Sequence, residues 1–94
     1  MKPLADKDIQ AGLQKLTEWS ECGDAIQRTY TFADFLTSMH FVNQVAQAAE
    51  DRQHHPDILV RWNKVTLTLS THDAGGITRK DFDFAAASDG LAAG

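Results

Sequence analysis

The sequence has a single cysteine and no long apolar run, and each of these shortages excludes a class of structure. Cys22 is the one cysteine among 94 residues, so no intrachain disulfide can form. No apolar run approaches the ~18 residues that a membrane-spanning helix needs. The first residues also lack the apolar stretch of a secretory signal. These shortages predict a cytoplasmic protein that neither crosses a membrane nor depends on disulfides.

Positive charge is scarce as well. Nine lysines and arginines stand against thirteen acidic residues, which gives a net charge of −4. Because a nucleic-acid interface needs clustered positive charge, we expect no direct contact with nucleic acid. The apolar content of 43% is typical of a globular protein, and the length fits a single domain over residues 1–94. Such a short chain buries little core, which favours self-association.

Hydrophobic periodicity divides the chain into three helices and four strands. Three segments have apolar residues at helical spacing. Between them lie two pairs of segments in which apolar and polar residues take turns along the chain. The long middle helix has an apolar arc broad enough to be buried on two sides, by the sheet and by a partner subunit. In chain order, the predicted elements are a helix over 6–16, a strand from 19 to a turn at 23–24, a strand over 25–32, a helix over 34–52, strands over 58–62 and 65–69, and a helix over 78–87. A frayed tail is predicted at 89–94.

Capping and turn signals set the expected element boundaries. Thr31-x-x-Asp34 and Thr78-x-x-Asp81 match the capping-box pattern that precedes a helix. Asn63-Lys64 fits a two-residue hairpin turn between the third and fourth strands. The resulting order, α-β-β-α-β-β-α, predicts an α+β fold. Its architecture is a two-layer sandwich in which helices cover one face of a four-stranded antiparallel sheet.

Three of the four histidines are expected at one end of this sheet. His54 and His55 directly precede the third strand, and His72 follows the fourth. The antiparallel hairpin places His55 opposite Thr71 or His72, so the three imidazoles converge. Imidazole titrates near neutral pH, which suits a proton-transfer site. Glu50 lies one helical turn before His54 and is placed to support a neighbouring imidazole.

Two other interpretations of the histidines remain open at this point. His-His-Pro at a helix end also fits a C-terminal cap, where a positive imidazolium interacts well with the helix dipole. A zinc site is disfavoured, because adjacent histidines in an extended chain point to opposite sides and no cysteine or fourth ligand lies near them. We therefore expect no metal.

The chain resembles the pterin-4a-carbinolamine dehydratase family over almost its whole length. The resemblance rests on the run from Glu50 to Pro56 with the pattern E-x-x-x-H-H-P, on N-K-V at 63–65, on S-T-H at 70–72 and on Thr78-x-x-Asp81. Trp19 and the segment 32–35 fit the family as well. Many relatives carry an acidic residue where this chain has Gln53, which changes the expected charge of the site.

The resemblance implies an activity and a set of site residues. The family dehydrates 4a-hydroxytetrahydropterins, formed by aromatic amino acid hydroxylases, to quinonoid dihydropterins, with no metal or cofactor. It implies that His54, His55 and His72 are catalytic and that Glu50 supports them. His54 and His72 are expected to serve as the general acid and the general base, in either order, and His55 to bind or orient the substrate. The residues expected to contact the substrate are Pro56, Ser70, Thr71, Asp81 and Trp19.

The same resemblance leaves other functions and an assembly state to consider. Some members in animals are dimerisation partners of a transcription factor, so a protein-binding role is the main alternative. A pterin-related step in molybdenum-cofactor biology is another, and it would use the same residues. We expect a homodimer or homotetramer whose interface uses the long helix, a sheet edge, or both.

Overall fold

Three helices and four strands follow one another in the predicted order. Residues 1–94 are described by a computed structural model. No helix has the length and apolar character needed to cross a membrane. The elements are α1 (Asp6–Lys15), β1 (Ser20–Cys22), β2 (Ala25–Thr31), α2 (Phe35–Arg52), β3 (Asp57–Arg61), β4 (Lys64–Leu69), a 3₁₀ turn (His72–Ala74) and α3 (Arg79–Ala93).

The four strands form one antiparallel sheet in the order β1-β2-β4-β3, which confirms the expected α+β sandwich. One face is apolar and buried under the helices, and the other is lined by paired polar side chains such as Thr29 and Thr66, whose hydroxyls lie 2.7 Å apart. Burial of one face fixes the register, because a one-residue slip would turn every apolar side chain outward. The buried face carries Ile26, Tyr30, Val65, Leu67 and Leu69.

The β3–β4 turn lies one residue earlier than predicted. Arg61 pairs with Lys64, so the two turn residues are Trp62 and Asn63 rather than Asn63 and Lys64. Trp62 adopts a left-handed backbone with φ of 49°. Asn63 is held by Phe32, whose N–H donates to the Asn63 carbonyl at 2.8 Å and whose carbonyl accepts from the Asn63 amide at 3.1 Å. This contact with the residue directly after β2 holds the turn, and no local sequence pattern shows it.

The predicted capping box before α2 is wrong in its details. Asp34, not Thr31, is the N-cap, and its carboxylate accepts from the Thr37 N–H at 2.8 Å. The same hydrogen bond lowers the pKa of the fully exposed Asp34 carboxyl. Thr31 instead belongs to β2, where it pairs with Lys64. Sheet pairing therefore takes precedence over the local capping pattern.

The buried side of α2 is narrower than the predicted apolar arc. The Phe41 ring packs at a tilt against Tyr30 and Phe32, with ring centroids 4.7 Å and 5.1 Å away, and this fixes which side of the helix faces the sheet. The buried residues of α2 are Ser38, Phe41, Val45 and Ala49. Phe35 and Leu36, at the start of the helix, remain exposed.

The last helix continues through the segment that was expected to fray. α3 extends to Ala93 because Asp89 is anchored to the sheet. Its carboxylate accepts from the Trp19 indole N–H at 3.0 Å, from Arg28 at 2.8 Å and from the Tyr30 hydroxyl at 2.5 Å. Three long-range donors on one carboxylate hold the final turns in place.

Candidate functional site

A sharp turn at the end of α2 positions the two adjacent histidines. Gln53 adopts the left-handed conformation with φ of 51°, and the His54 N–H donates to the Ala49 carbonyl at 3.1 Å. This arrangement ends the helix in the manner of a Schellman turn. Pro56 then favours an extended chain at His55, which leads directly into β3. The helix end and the proline together place His54 and His55 at one corner of the sheet.

A cavity of about 260 Å³ lies at this corner, and all three predicted catalytic histidines line it. His72 reaches it from the 3₁₀ turn that follows β4. The cavity has no hydrophobic side chain in its lining, so it suits a ligand whose edges carry many hydrogen-bonding groups. Its lining residues are Gln53, His54, His55, Ser70, Thr71, His72, Asp73 and Lys80.

His54 is bonded to a fully buried carboxylate. Its Nε2 lies 2.6 Å from Oδ1 of Asp81, a side chain with no exposed surface. The other oxygen, Oδ2, accepts from the Thr71 hydroxyl and from the Thr78 N–H, both at 2.9 Å. Asp81 is also the third residue of α3 and completes the predicted capping box with Thr78. A single carboxylate thus caps a helix and orients a histidine.

His55 has a carboxylate partner of a different character. Its Nε2 lies 2.6 Å from Oε2 of Glu50, but the two side chains are 58% and 69% exposed. Water and salt screen such a pair, so it contributes ~1 kcal/mol or less. The buried pair at His54 is consequently the more rigid of the two.

The other predicted site residues differ in whether they line the cavity. Ser70 is an exposed residue of the cavity lining. Pro56 shapes the backbone next to the site and is absent from the lining. Trp19 lies in the core, 4% exposed, with its indole N–H on Asp89 rather than on the cavity.

Trp19 belongs to a second polar cluster, separate from the histidines. Burial is the main reason that the pKa of Tyr30 is raised far above its usual value, and the hydrogen bond to Asp89 and the charge of Asp89 add to the effect. The charge of the Arg28 guanidinium, which lies 4.2 Å from the centre of the Tyr30 ring, lowers this pKa and so offsets part of the rise. Because the donors converge on one carboxylate that joins α3 to the sheet, we interpret this cluster as structural.

Sequence reasoning missed several residues of the site. Asp73 lines the cavity, and Thr78 lies beneath it with its hydroxyl 2.6 Å from that of Thr71. The capping-box pattern was a usable signal for Thr78, because it ties that residue to Asp81. Lys80 also borders an adjoining cavity of about 230 Å³, together with Arg52, His54, Asp83 and Phe84.

Comparison with known protein families gives a match over residues 2–91 to the family described as pterin 4 alpha carbinolamine dehydratase. Curated relatives provisionally named pterin-4-alpha-carbinolamine dehydratase are similar over nearly their full lengths. The protein of Thermosynechococcus vestitus is 48% identical over 89 residues, covering 95% of this chain and 94% of its own. That of Roseiflexus castenholzii is 51% identical over 86 residues, covering 92% of each chain.

Two solved structures share the fold. A crystal structure of a transcriptional coactivator/pterin dehydratase from Brucella melitensis has a TM-score of 0.93 and 32% identity, covering 97% of this chain and 99% of its own. A pterin dehydratase-like protein identified as a RuBisCO assembly factor in the alpha-carboxysome has a TM-score of 0.70 and 24% identity, covering 80% of this chain and 89% of its own. The second likeness concerns the fold alone.

Proposed function

The chain belongs to the pterin-4a-carbinolamine dehydratase family, and we propose that it converts a 4a-hydroxytetrahydropterin to the quinonoid dihydropterin by histidine general acid and general base catalysis. The observation that carries the proposal is the convergence of His54, His55 and His72 on one polar cavity. Two of these imidazoles have a carboxylate partner at 2.6 Å, and the buried partner of His54 fixes its ring.

The reaction needs two proton transfers at neighbouring atoms of the pterin. The C4a–O bond breaks, and the hydroxyl leaves as water once an acid has protonated it. The N5 lone pair forms the new C4a=N5 bond as a base removes the N5 proton. Each positioned acid or base contributes ~10²–10⁴-fold. We assign these two roles to His54 and His72, which approach the cavity from different segments of the chain.

His55 and Glu50 have a supporting role in this proposal. Their exposed pair lies at the rim, where the imidazole can bind or orient the pterin without being part of the buried hydrogen-bond network. The wholly polar lining supports a pterin as ligand, because the edge of that heterocycle carries several hydrogen-bond donors and acceptors.

A dehydration assay with purified 4a-hydroxytetrahydropterin tests the proposal. His54→Ala and His72→Ala should each lower the rate at least ~10-fold while the fold survives, on the magnitude of general acid–base catalysis. His40→Ala is the matched control, because His40 is an exposed histidine of α2 outside the cavity lining. Unchanged rates in both site variants would refute the assignment.

We further propose that copies of this chain associate. β3 is an edge strand of the sheet, and it carries exposed apolar residues, as does the first turn of α2, where Leu36 is 79% exposed. Unpaired edges and exposed apolar patches are typical of assembly surfaces. A dimer or tetramer in analytical ultracentrifugation is expected, and a monomer at all protein concentrations would contradict it. The exposed apolar residues concerned are Phe35, Leu36, Ile58, Leu59 and Trp62.

A protein-binding role is the second candidate, and the same exposed apolar residues support it. The Brucella melitensis protein, 32% identical, is described as both a coactivator and a dehydratase, so the two roles are compatible in one fold. The histidine variants separate them. Binding of a protein partner should survive His54→Ala, because the exposed apolar residues lie outside the cavity lining.

A further inference from the structure

Two threonine hydroxyls are buried beneath His54. Thr71 and Thr78 are 4% and 5% exposed, and their Oγ1 atoms lie 2.6 Å apart. Buried hydroxyls are costly unless their hydrogen bonds are made, so each proton here must have a definite acceptor. The direction of every bond can therefore be worked out.

The bond directions form one chain that ends on Asp81. An ionised carboxylate only accepts, so the Thr71 hydroxyl must donate its single proton to Oδ2 at 2.9 Å. The contact between the two hydroxyls then requires Thr78 to donate to Thr71. Thr78 in turn accepts from the Lys80 N–H at 3.2 Å. The sequence of donors runs from the start of α3, through both hydroxyls, to the carboxylate.

Asp81 is bonded at Oδ2 by a donor whose direction is fixed by the backbone. That donor is the Thr78 N–H, at 2.9 Å, and the carboxylate lies in the first turn of α3, where the helix dipole favours negative charge. An ionised Asp81 requires Nε2 of His54 to carry the proton of their 2.6 Å bond. Nδ1 is then the ring nitrogen left for the substrate.

We propose that Thr78 is a positioning residue for the dehydration. Its hydroxyl acts through Thr71 on Asp81, and so holds His54 in the tautomer with the proton on Nε2 and the reactive lone pair on Nδ1. Thr78 is absent from the cavity lining and acts only through the other residues. The kinetic consequence rests on the proposed function, whereas the tautomer of His54 does not depend on it.

The first arm of the test reads the tautomer directly. Long-range ¹H–¹⁵N NMR of the full chain, above the pH at which imidazole titrates, reports which ring nitrogen of His54 is protonated. Nε2–H is expected in the unmodified protein, and Thr78→Val should raise the Nδ1–H population, with Thr78→Ser restoring the original state. A proton on Nδ1 in the unmodified protein would overturn the proposal, even if the protein is an active dehydratase.

The second arm measures kcat and KM for the 4a-hydroxytetrahydropterin. Thr78→Val and Thr71→Val should lower kcat about 5- to 10-fold, which is the effect of one hydrogen bond, and Thr78→Val, outside the cavity lining, should leave KM within about twofold. Thr78→Ser and Thr71→Ser should restore kcat. Thr66→Val is the matched control, because it removes a threonine–threonine bond on the open face of the sheet and should not change kcat.

The two arms separate failure of this inference from failure of the proposed function. If the unmodified protein does not dehydrate the pterin, the proposed function fails and the NMR arm still decides the role of Thr78. If Thr78→Val does not fold because it loses a helix cap, Thr71→Val breaks the same chain and keeps both residues of the capping box. An unchanged kcat and an unchanged His54 tautomer in the valine variants would refute the inference.

Discussion

Replacing Asp81 with asparagine changes the protonation of His54 and leaves most of the surrounding contacts possible. The Thr71 hydroxyl and the Thr78 N–H both donate to Oδ2, so the amide oxygen of asparagine will take that position. The amide NH₂ must then face Nε2 of His54, where Oδ1 accepted before. Because the NH₂ group only donates, Nε2 must become an acceptor. The His54 proton moves to Nδ1, the nitrogen assigned to the substrate.

The expected loss of activity follows from this wrong tautomer. A histidine that presents N–H where a lone pair is needed loses its contribution as a base, which is ~10²–10⁴-fold or about 3–5 kcal/mol of activation free energy. In serine-protease triads the equivalent exchange of carboxylate for amide lowers kcat by about 10⁴. Stability should change less, by ~1.5–3 kcal/mol for one hydrogen bond to a charged group, because the helix cap remains.

Steady-state kinetics on purified Asp81→Asn, with circular dichroism and thermal unfolding as checks of the fold, measure both effects. Glu50→Gln is the matched control, since it makes the same chemical change at His55. That pair is exposed, so its loss should lower the rate by less than ~10-fold. A folded Asp81→Asn variant within about threefold of the unmodified rate would refute the reasoning, because His54 would then not need the buried carboxylate.

Two predictions concern stability against pH. The raised pKa of Tyr30 means that its protonated form stabilises the fold fully below pH ~10, and that this stabilisation is lost as pH rises above that value. Tyr30→Phe should therefore lower the free energy of unfolding near neutral pH by ~1.5–3 kcal/mol and flatten its alkaline decline in denaturant titrations; an equally steep decline would contradict the assignment. Asp34 has a lowered pKa, so its contribution is present above the unfolded value of pH ~4 and is lost as pH falls through the folded value. Asp34→Asn should keep the cap but reduce the loss of stability in acid. If the free energy of unfolding falls equally at low pH in the variant, the Asp34 carboxylate is not the cause of that loss.

The fold likeness by itself does not decide function. The same architecture, at 24% identity, occurs in a protein identified as a RuBisCO assembly factor. Function must therefore be argued from the site, as is general for widely used folds. In this chain the candidate site consists of three histidines around one cavity and the buried carboxylate beneath one of them.

Local signals in the sequence predicted some boundaries well and others badly. The Thr78 capping box holds, because both of its hydrogen bonds are local to the first turn of α3. The Thr31 box fails, because Thr31 pairs with Lys64 in the sheet. The turn at Trp62 and Asn63 lies one residue earlier than the local pattern predicts for a similar reason, since Phe32, directly after β2, holds Asn63. Errors arose where a distant strand competed with a local preference.

The sequence alone determined the order of the elements and the segments that carry the histidines. Periodicity and alternation depend on which residues can face a core, and these patterns are properties of neighbouring residues. The same holds for Pro56, which favours an extended conformation at His55 wherever the segment lies. A site at one end of an antiparallel hairpin was predictable from the chain.

Only the tertiary structure decided which partner each polar side chain has. Asp81 follows His54 by 27 residues, and their bond exists because α3 packs against the end of α2. Trp19 was expected at the substrate, but Asp89, 70 residues away, accepts from its indole in the core. Hydrogen bonds between distant residues depend on ångström-scale packing, which composition and spacing do not encode. For that reason the chemistry of His54 is set by contacts that become visible only when the chain is folded.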